Sequence, residues 1–469
     1  MTRRDFLATV PVSGVFREGR PPNLVLILTD NQGAWTLGCY GNPDIRTPNI
    51  DALAAEGIVF TRAFANNAVC SPTRASLLTG LMPSQHGVHC YLAAGGAQIG
   101  PGAYNTIGEF PTISSVLVEA GYTAGLCGKW HLGGNLNPQS GFTYWVTRPH
   151  GNSLGFYNQE VIEDGRIRKE PGYLTDFWTD HAVRFMEQNR DRPFFLYLAY
   201  NGPYGLSGAA KEPIRNRHAA FYADKELPSM PRDNPHPWLH NHRDWMRDAQ
   251  VRRKYAAEIS GIDDGVGRVL ETLRRLGLEG NTLVVFTADQ GLACGHSGFW
   301  GMGDHTRPLT AFDWTMSVPL IFRHPGRIPA GKRCDAMIGT YDLAPSILRY
   351  LGHELRGSLP GRDMTPLFEG RSVEWDNTVF FEFENVRAIR TARYKYIERI
   401  HQAPNELYDL ERDPGERLNL VENPEMAATR EELRRRLHAF FARYADPKWD
   451  LWQGGKSKSH LLTSSLFQR

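Results

Sequence analysis

Two apolar runs, each closed by an acid and an amide, place the strongest constraint on the fold. Residues 23–30 read NLVLILTD and precede Asn31, and residues 282–289 read TLVVFTAD and precede Gln290. A short unbroken apolar run is typical of a parallel strand that is buried on both faces of its sheet. Residues 193–200, PFFLYLAY, form a third run of this kind. The chain is therefore predicted to contain a mostly parallel sheet.

Helical patterns separate these runs. They occur at residues 50–56, 112–120, 177–188 and 253–276. Strands that alternate with helices predict an α/β fold in which helices flank both faces of the sheet. In such sheets the ligand site lies beyond the carboxyl ends of the strands, which is where Asp30 and Asp289 fall.

The character of the chain changes near residue 374. Short strand patterns and one amphipathic helix follow, at residues 378–383, 388–391, 395–398 and 425–444. These patterns predict a smaller C-terminal α+β domain that packs on the main one. We divide the chain into a signal and linker at 1–21, a catalytic domain at 22–373, the small domain at 374–447 and a tail at 448–469.

The first residues predict export. Residues 2–7, TRRDFL, resemble a twin-arginine signal, in which paired arginines precede a polar residue and Phe-Leu. Such a signal would carry the folded protein out of the cytoplasm, so we expect a periplasmic or otherwise exported protein. If this segment is not a functional signal, the protein is expected to be cytoplasmic.

Charge and composition exclude several functional classes. The 53 Lys and Arg nearly balance the 51 Asp and Glu, and a net charge of +2 argues against nucleic-acid binding, which needs a concentrated basic face. No run in the sequence approaches the roughly 18 apolar residues needed to cross a bilayer. The six cysteines form no C-x-x-C pair, so the sequence predicts neither a zinc knuckle nor a redox motif.

The segment from Cys70 to Gly80, CSPTRASLLTG, predicts a helix with a reactive group in its first turn. Pro72 favours a helix start and Gly80 favours a helix stop. Cys70 would then lie at the helix N-terminus, where free N–H groups and the helix dipole favour an anion. Arg74 is one turn further on, and its guanidinium can hold an oxyanion bidentately. We therefore predict a nucleophile within an anion-binding site.

The two acid–amide pairs predict a cation site. Asp30 with Asn31, and Asp289 with Gln290, offer carboxylate and amide oxygens at the ends of two predicted strands. Oxygen donors without a neighbouring pair of Cys or His favour a hard ion, Ca²⁺ or Mg²⁺, over zinc. The alternative for each pair is that the acid only caps the helix or turn that follows.

The segment around Cys70 resembles the signature of a known family. Cys-x-Pro-Thr-Arg followed by Leu-Thr-Gly is similar to the motif of the formylglycine-dependent sulfatases, which belong to the alkaline-phosphatase-like superfamily. Further segments resemble the family in the same order, namely LGCYGN at 37–42, TPNID at 47–51, GKWHLG at 128–133, and ELYDL with DP at 406–414. The resemblance spans about residues 22–445. It implies an alkaline-phosphatase-like α/β domain with a small C-terminal domain, in agreement with the strand and helix patterns.

The resemblance also implies a reaction and a set of roles. A maturation enzyme would convert Cys70 to formylglycine, and one hydroxyl of the hydrated aldehyde would attack sulfur. The second hydroxyl would then let the sulfated intermediate collapse with loss of sulfate. Arg74 would orient the nucleophile, Lys129 would neutralise sulfate oxygens, and His131 would act as base. The implied ligands of Ca²⁺, with Mg²⁺ as the alternative ion, are Asp30, Asn31, Cys70, Asp289 and Gln290.

The chain departs from the family pattern at four positions. Asn31 stands in place of a second acid, Gln290 in place of an Asn, Tyr204 in place of the His that protonates the leaving oxygen, and Met302 in place of a sulfate-binding Lys. Amide oxygens can still bind a cation, with a lower charge at the site. The phenol of Tyr204, taken here as the leaving-group acid, is a weak acid unless its surroundings shift its pKa.

Other residues are candidates for binding the substrate near its leaving group, where Tyr204 and Met302 depart from the family pattern. Residues 204–248 have no clear period and are rich in Pro, His, Trp and charge, which predicts a lid on the substrate side. We expect substrate-binding roles for His296, His305 and Arg307, with His236, His240 and His242 of this lid as further candidates.

These features predict a hydrolase of sulfate esters, acting on a sulfated small molecule or glycan, with a carbohydrate as the expected carrier. One alternative is a phosphonate monoester or phosphodiester hydrolase of the same superfamily, whose substrates need less protonation of the leaving group. The other is a protein that binds sulfated glycans without hydrolysing them. The intact Cys-x-Pro-Thr-Arg sequence argues against a binder, which has no use for a maturation signal.

Overall fold

The computed structural model of the chain describes residues 19–94, 96–401 and 404–459. The twin-arginine signal predicted at residues 2–7 lies outside these residues. Within the described part of the chain, no helix is both long and apolar enough to span a membrane.

Fifteen strands and twelve α-helices make up the described regular structure. The strands are β1 Asn23–Asp30, β2 Ile58–Phe64, β3 Thr123–Gly128, β4 Phe142–Val146, β5 Gln159–Glu163, β6 Arg166–Glu170, β7 Phe194–Pro203, β8 Thr282–Ala288, β9 Ser317–Val318, β10 Leu320–Arg323, β11 Lys332–Gly339, β12 Thr378–Phe383, β13 Val386–Thr391, β14 Tyr394–Arg399 and β15 Glu406–Asp409. The helices are α1 Pro48–Ala55, α2 Cys70–Thr79, α3 Pro83–His86, α4 Ile113–Glu119, α5 Leu174–Gln188, α6 Ser207–Lys211, α7 Ala219–Tyr222, α8 Ala249–Arg275, α9 Asp313–Met316, α10 Leu343–Tyr350, α11 Thr365–Phe368 and α12 Ala427–Tyr444.

A nine-stranded sheet forms the centre of the molecule. Its strand order is β11-β2-β10-β8-β1-β7-β3-β4, and β9 pairs with β2. The pairings of β1 with β7 and β8 are parallel, as are those of β3 with β4 and β7, whereas β10 is antiparallel to both its neighbours. The predicted mostly parallel sheet is therefore confirmed, with β9 and β10 as its antiparallel members.

The three apolar runs become β1, β7 and β8, which are adjacent in the middle of the sheet. Every residue of β1 is buried, because helices cover both faces of the sheet. Alternate side chains of β1 enter two different cores: Val25 and Ile27 on one face, and Leu24, Leu26 and Leu28 on the other. This two-sided burial explains why the run shows no polar alternation.

The predicted helices are present with small shifts of their ends. The patterns at 50–56, 112–120, 177–188 and 253–276 correspond to α1, α4, α5 and α8. Helix α2 begins at Cys70 and ends before Gly80, which takes a left-handed conformation with φ of 69° and donates its N–H to the carbonyl of Ser76. Cys70 is thus in the first turn of a helix, as its sequence predicts.

The C-terminal region forms the predicted smaller α+β unit. Strands β12 to β15 make a four-stranded antiparallel sheet, and α12 packs on it through the stacked rings of Phe380 and Phe440, whose centroids are 3.8 Å apart. The division of the chain at residues 373 and 374 stays a prediction. Part of the tail, residues 448–459, also packs on the body: Asp450 accepts a hydrogen bond of 2.6 Å from Arg387 of β13.

A buried ionic cluster joins the small sheet to the main one. Lys395 of β14 is fully buried, and its Nζ lies 2.6 Å from Asp313 Oδ1 of α9 and 2.7 Å from Glu416 Oε1. The same ammonium donates to the carbonyl of Ala311 at 2.8 Å. One cation thus satisfies two carboxylates and a carbonyl that have left water.

We expect Lys395→Ala to lower the free energy of unfolding by about 3–5 kcal/mol, because it leaves the buried Glu416 without its cation and Asp313 with Arg390 alone. The matched control is Arg435→Ala on α12, whose ion pair with Glu432 is exposed and should contribute less than about 1 kcal/mol. Urea unfolding followed by circular dichroism measures both. Equal losses in the two variants would contradict this account of how the two units are joined.

Candidate active site

Two carboxylates meet at the carboxyl edge of the central sheet. Asp30 ends β1 and Asp289 directly follows β8, and the parallel register pairs Thr29 with Ala288, so the two acids are side by side. Asp289 Oδ1 accepts hydrogen bonds from the backbone N–H groups of Asn31 at 3.1 Å and Gln290 at 2.9 Å. Both acids are fully buried. Burial and the charge of Asp30 raise the pKa of Asp289.

Arg74 bridges the two acids. Its Nη2 lies 2.9 Å from Asp30 Oδ2 and 2.8 Å from Asp289 Oδ2, and its Nε donates to Asp289 Oδ2 at 3.0 Å. A further N–H, on Nη1, donates to the carbonyl of Lys129 at 2.6 Å. The guanidinium is completely buried, so its fork is held in one orientation.

Cys70 faces the acids from the start of α2. Its thiol lies 3.7 Å from Asp30 Oδ1, and ligand atoms of Asp30, Cys70 and Asp289 all lie within 4.8 Å of one another. The loop before the helix is fixed by Asn67, whose Oδ1 accepts from the N–H of Val69 at 2.9 Å. Burial and then the charge of Asp30 raise the pKa of the Cys70 thiol, so the side chain is a neutral thiol rather than a thiolate.

The amides of Asn31 and Gln290 complete the cluster. Gln290 Nε2 donates to Asn31 Oδ1, lies 3.1 Å from Cys70 Sγ and lies 3.2 Å from Met302 Sδ. Gln290 Oε1 is buried, and none of the residues that the structure describes hydrogen-bonds to it. Asn31 has φ of 60° and donates its amide to the carbonyl of Tyr204 at 2.9 Å. The cluster therefore contains amide oxygens beside two carboxylates.

Lys129 approaches the same acid from the end of β3. Its Nζ lies 2.5 Å from Asp30 Oδ2, and its backbone N–H donates to the carbonyl of Ala199 on β7 at 2.7 Å. Asp30 Oδ2 is thus shared by two cations, Arg74 and Lys129. The buried charges of this centre are two acids and two bases, which nearly cancel.

His131 presents an unbonded nitrogen. Its Nε2 donates to the carbonyl of Leu92 at 2.9 Å, and its buried Nδ1 has no hydrogen-bond partner within residues 19–94, 96–401 and 404–459. The ring lies against Gly151, where any Cβ would come within 2.1 Å of it. Burial, followed by the charge of Lys129, lowers the pKa of His131 well below its usual range. The neutral ring therefore carries a free lone pair on Nδ1, as a base requires.

Tyr204 is brought into the cluster by the end of β7. Its N–H donates to the carbonyl of Asp30 at 3.0 Å, and Lys129 Nζ lies 5.5 Å from the centre of its ring. The side chain is only 5% exposed, and φ is 60°. Burial, then the neighbouring Cys70 and Asp30, raise the pKa of the phenol well above its ordinary value. The surroundings of Tyr204 thus make it a weaker acid, not a stronger one.

The three predicted substrate-binding residues lie outside the hydrogen-bond network of the acids. The ring of His296 stacks on Trp314 with centroids 3.8 Å apart, and burial lowers its pKa to about 4. Arg307 is exposed and donates to the carbonyls of Asp304 and Thr306, each at 2.7 Å. Throughout the described ranges, none of His296, His305 and Arg307 hydrogen-bonds to Asp30, Cys70 or Asp289. Substrate binding by these residues stays a prediction.

The predicted lid contacts the loop that carries His305. His240 donates its N–H to the carbonyl of His305 at 2.9 Å, and the ring of His242 lies 5.0 Å from the ring of His305. His236 packs on Phe299 with ring centroids 4.5 Å apart. The segment therefore folds over residues that follow β8, on the side of the sheet edge where the acids lie.

Arg148 is a residue of this region that the sequence did not reveal. It is 1% exposed, its Nη1 donates to Ser153 Oγ at 2.9 Å, and its Nε has no partner. Burial lowers the pKa of its guanidinium to about 10, and Tyr204 and Asp30 act in the opposite direction. No motif or spacing surrounds Arg148, so only the fold could identify it as a buried cation beside the site.

Comparisons with known proteins identify the family of the chain. The sequence model described as Sulfatase matches residues 22–353. The chain belongs to the sulfatase family. A second model, described as N-sulphoglucosamine sulphohydrolase, C-terminal, matches residues 306–443. This sulfatase is therefore an enzyme that hydrolyses sulfate esters, and the second match includes the four strands of its small C-terminal sheet.

Individual relatives are similar over most of the sulfatase chain. It is 25% identical to an N-acetylglucosamine-6-O-sulfatase of Bacteroides thetaiotaomicron, over 92% of this chain and 88% of that protein. It is 31% identical to an N-acetylgalactosamine-6-sulfatase of Sus scrofa, over 80% of this chain and 71% of that protein. A solved structure described as a complex with its substrate D-glucosamine-2-N,6-O-disulfate has the same fold, with a TM-score of 0.72, 24% identity and coverage of 91% and 98% of the two chains.

We expect Arg74→Met to lower the free energy of unfolding by about 3–5 kcal/mol, since it leaves Asp30 and Asp289 buried with one cation fewer. Arg148→Met is the matched control. That arginine is equally buried but forms no ion pair with a carboxylate in the described part of the chain, so the loss should stay below about 1 kcal/mol. Urea unfolding in the presence of a chelator measures both variants. A larger loss for Arg148→Met would contradict the bridging role of Arg74.

Proposed function

We propose that the protein hydrolyses a sulfate ester carried by a carbohydrate, with formylglycine derived from Cys70 as the nucleophile and Ca²⁺ as the bound cation. The observation that carries the proposal is the position of Cys70: its sulfur sits in the first turn of α2, against Asp30, within a cluster that includes Arg74 and Lys129. A sulfate group brought to this sulfur would meet the two cations and the helix N-terminus.

The protonation of Cys70 supports its modification. A buried thiol with a raised pKa is a poor nucleophile at neutral pH, because the thiolate is the reactive form. Formylglycine would supply a hydrated aldehyde at the same position, with hydroxyl groups in place of sulfur. The motif around Cys70 would be read by a maturation enzyme before or during folding, because the finished site buries the side chain.

The donor set fits a hard divalent cation. Two carboxylates lie within 4.8 Å of the Cys70 thiol, and the buried amides of Asn31 and Gln290 adjoin them. The amide of Gln290 turns its Nε2 toward Asn31 and Cys70, so it would have to rotate to present Oε1 to an ion. These oxygen donors suit Ca²⁺, with Mg²⁺ as the alternative, and Asp30, Asn31, Asp289, Gln290 and the modified residue at position 70 would hold the ion. When bound, the cation would polarise a sulfate oxygen and lower the pKa of the nucleophile.

The remaining side chains have separate tasks in this proposal. Lys129 and the buried guanidinium of Arg148 would balance the negative charge of the sulfate group. Neutral His131, with Nδ1 free, would accept a proton from the nucleophile as sulfate is released. Tyr204 would contact the leaving oxygen, but its raised pKa makes it a hydrogen-bond donor rather than an efficient acid.

The carbohydrate substrate is inferred from relatives. Proteins named as N-acetylglucosamine and N-acetylgalactosamine sulfatases match this chain over most of its length. We infer a sulfated amino sugar, alone or within a glycan, as the substrate class. Export is a separate proposal that rests on residues 2–7, which lie outside the described part of the chain.

The properties of Tyr204 favour one alternative function, hydrolysis of a phosphonate monoester or phosphodiester. A site whose acid has a raised pKa suits a substrate with a good leaving group, such as an aryl phosphonate monoester or phosphodiester. Turnover of an aryl sulfate and of the matching aryl phosphodiester separates the two functions, because the leaving group is then the same. Faster hydrolysis of the phosphodiester would overturn the sulfate ester as the principal substrate.

Peptide mass spectrometry of residues 63–74, on protein from a host that matures sulfatases, should find formylglycine at position 70. Cys70→Ala should lower sulfate release from 4-nitrophenyl sulfate at least about 1000-fold, because the nucleophile is lost. Cys127→Ala is the control, since this cysteine of β3 is equally buried and no part of the acid cluster. Sulfate release by Cys70→Ala at the wild-type rate would exclude the nucleophile role. An unmodified, inactive wild-type protein that still binds sulfated sugars would favour the non-catalytic binder.

Removal of divalent cations with a chelator should abolish activity, and added Ca²⁺ should restore it. Binding at a hundredfold excess over Kd stabilises a folded protein by about 2.7 kcal/mol, so the melting temperature should rise by at least about 2 °C. Asp289→Asn should lose this rise because one carboxylate ligand is gone. Asp335→Asn, whose side chain is 91% exposed, should keep it. A rise that survives Asp289→Asn would exclude this cluster as the site.

A further inference from the structure

Glu384 is a buried carboxyl group that, among the described residues, has only a weak hydrogen-bond donor beside it. It lies in the turn between β12 and β13, with φ of 50°, and its exposed fraction is 0%. Neither Oε1 nor Oε2 has a nitrogen or oxygen donor among the described residues, and the weakly donating thiol of Cys90 is the one group that hydrogen-bonds to the carboxyl group. A buried acid held only by a thiol is costly, so such a group is a sign of a ligand that supplies stronger donors.

The neighbouring acid on the same hairpin is bonded in the usual way. Glu382 Oε1 accepts two hydrogen bonds from Arg387, at 2.8 and 3.0 Å, and its Oε2 accepts from the N–H of Ser84 at 2.7 Å. Glu382 therefore holds the hairpin on the main domain. Glu384, two residues further along, forms no ion pair with any arginine or lysine of the described ranges.

The hairpin is attached to the loop that leads to the nucleophile. The N–H of Glu382 donates to the carbonyl of Asn66 at 2.9 Å, and Asn67 Nδ2 donates to the carbonyl of Glu382 at 2.6 Å. Asn67 in turn caps the backbone just before Cys70. The position of Glu384 is thus fixed relative to the reacting centre by hydrogen bonds across two elements.

Cys90, the neighbour of Glu384, begins a second connection to the same centre. Two residues later, Leu92 donates its N–H to Ser71 Oγ at 3.0 Å and accepts from His131 Nε2 at 2.9 Å. The wall formed by residues 90–92 therefore extends from the Glu384 carboxylate to the first turn of α2 and to the proposed base.

The loop after β8 supplies the charged rim. Asp304 and Arg307 are close enough to act electrostatically on Glu384. Burial, with a smaller contribution from Asp304, raises the pKa of Glu384 to about 8, and the hydrogen bond from Cys90 and the charge of Arg307 act in the opposite direction. The same loop carries Met302, whose Sδ lies 3.2 Å from Gln290 Nε2 of the acid cluster. The loop after β8 therefore lies near both the acid cluster beside Cys70 and the carboxyl group of Glu384.

We propose that Glu384, with Asp304 at the rim, is a subsite that binds ring hydroxyl groups of the sugar that carries the scissile sulfate. This inference rests on the proposed function. Sugar hydroxyls donate and accept hydrogen bonds, and a carboxyl group can pair with two of them in either protonation state. Glu384 is then a specificity residue for a carbohydrate, because an aryl sulfate such as 4-nitrophenyl sulfate carries no hydroxyl group that could bind to it.

The test compares kcat/KM for a sugar sulfate with kcat/KM for 4-nitrophenyl sulfate. The sugar sulfate in this test is N-acetylglucosamine 6-sulfate or N-acetylgalactosamine 6-sulfate, whichever the wild-type protein hydrolyses with the higher kcat/KM. Glu384→Leu should lower the sugar-to-aryl ratio about 10- to 100-fold, because hydroxyl groups buried without partners bind poorly. Glu384→Gln should keep most of the wild-type ratio, since the glutamine amide also forms hydrogen bonds with hydroxyl groups. The exposed Glu374→Gln is the control and should leave the ratio unchanged.

Melting temperatures establish that the variants fold. If Glu384→Leu does not fold, Asp304→Ala replaces it, and we expect this variant also to lower the sugar-to-aryl ratio. The subsite is overturned if the sugar-to-aryl ratio of folded Glu384→Leu stays within twofold of the wild-type ratio. It is also overturned if Glu384→Leu lowers the ratio and Glu384→Gln lowers it equally. Wild-type turnover of the aryl sulfate but of neither sugar also overturns it. A wild-type protein with formylglycine and cation that releases sulfate from no substrate overturns the proposed function itself.

Discussion

The pairing of two carboxylates across adjacent strands is the interaction on which the rest of the site depends. Parallel strands in register bring Asp30 and Asp289 together in a buried position, where two like charges would repel strongly. Arg74 makes this arrangement stable because its rigid fork reaches both acids at once. Helix α2 must therefore begin at this sheet edge, and Cys70, one turn before Arg74, is carried to the acids with it.

The same edge collects the other groups from separate strands. Lys129 follows β3 and Tyr204 follows β7, and each makes a backbone hydrogen bond to a neighbouring strand or strand end. Asn31, His131 and Tyr204 all have φ of 60°, a conformation that non-glycine residues adopt at some cost. The chain turns sharply at these three points so that side chains point over the sheet edge. The strain is sustained by the hydrogen bonds around it.

Much of the fold could be predicted because its central strands are buried on both faces. The runs that became β1, β7 and β8 are continuous and apolar, and the helix patterns that became α5 and α8 have a clear period. Strands β2 and β11 gave weaker signals, since β2 contains Arg62 and β11 begins with two basic residues and only its second half is buried. Their pairing is decided by contacts between distant segments, which no local pattern records.

The sequence by itself determined which chemistry-bearing groups are present and where the chain turns: the acids at strand ends, Cys70 at a helix start and Gly80 at its stop. Only the tertiary structure decided which charges are paired and which polar atoms are left unbonded. It surrounded Tyr204 with groups that raise its pKa, buried Arg148 beside it, and left Glu384, among the described residues, with only the thiol of Cys90 as a donor. The physical reason is that desolvation and pairing depend on distances through space, and the residues involved are far apart in the chain.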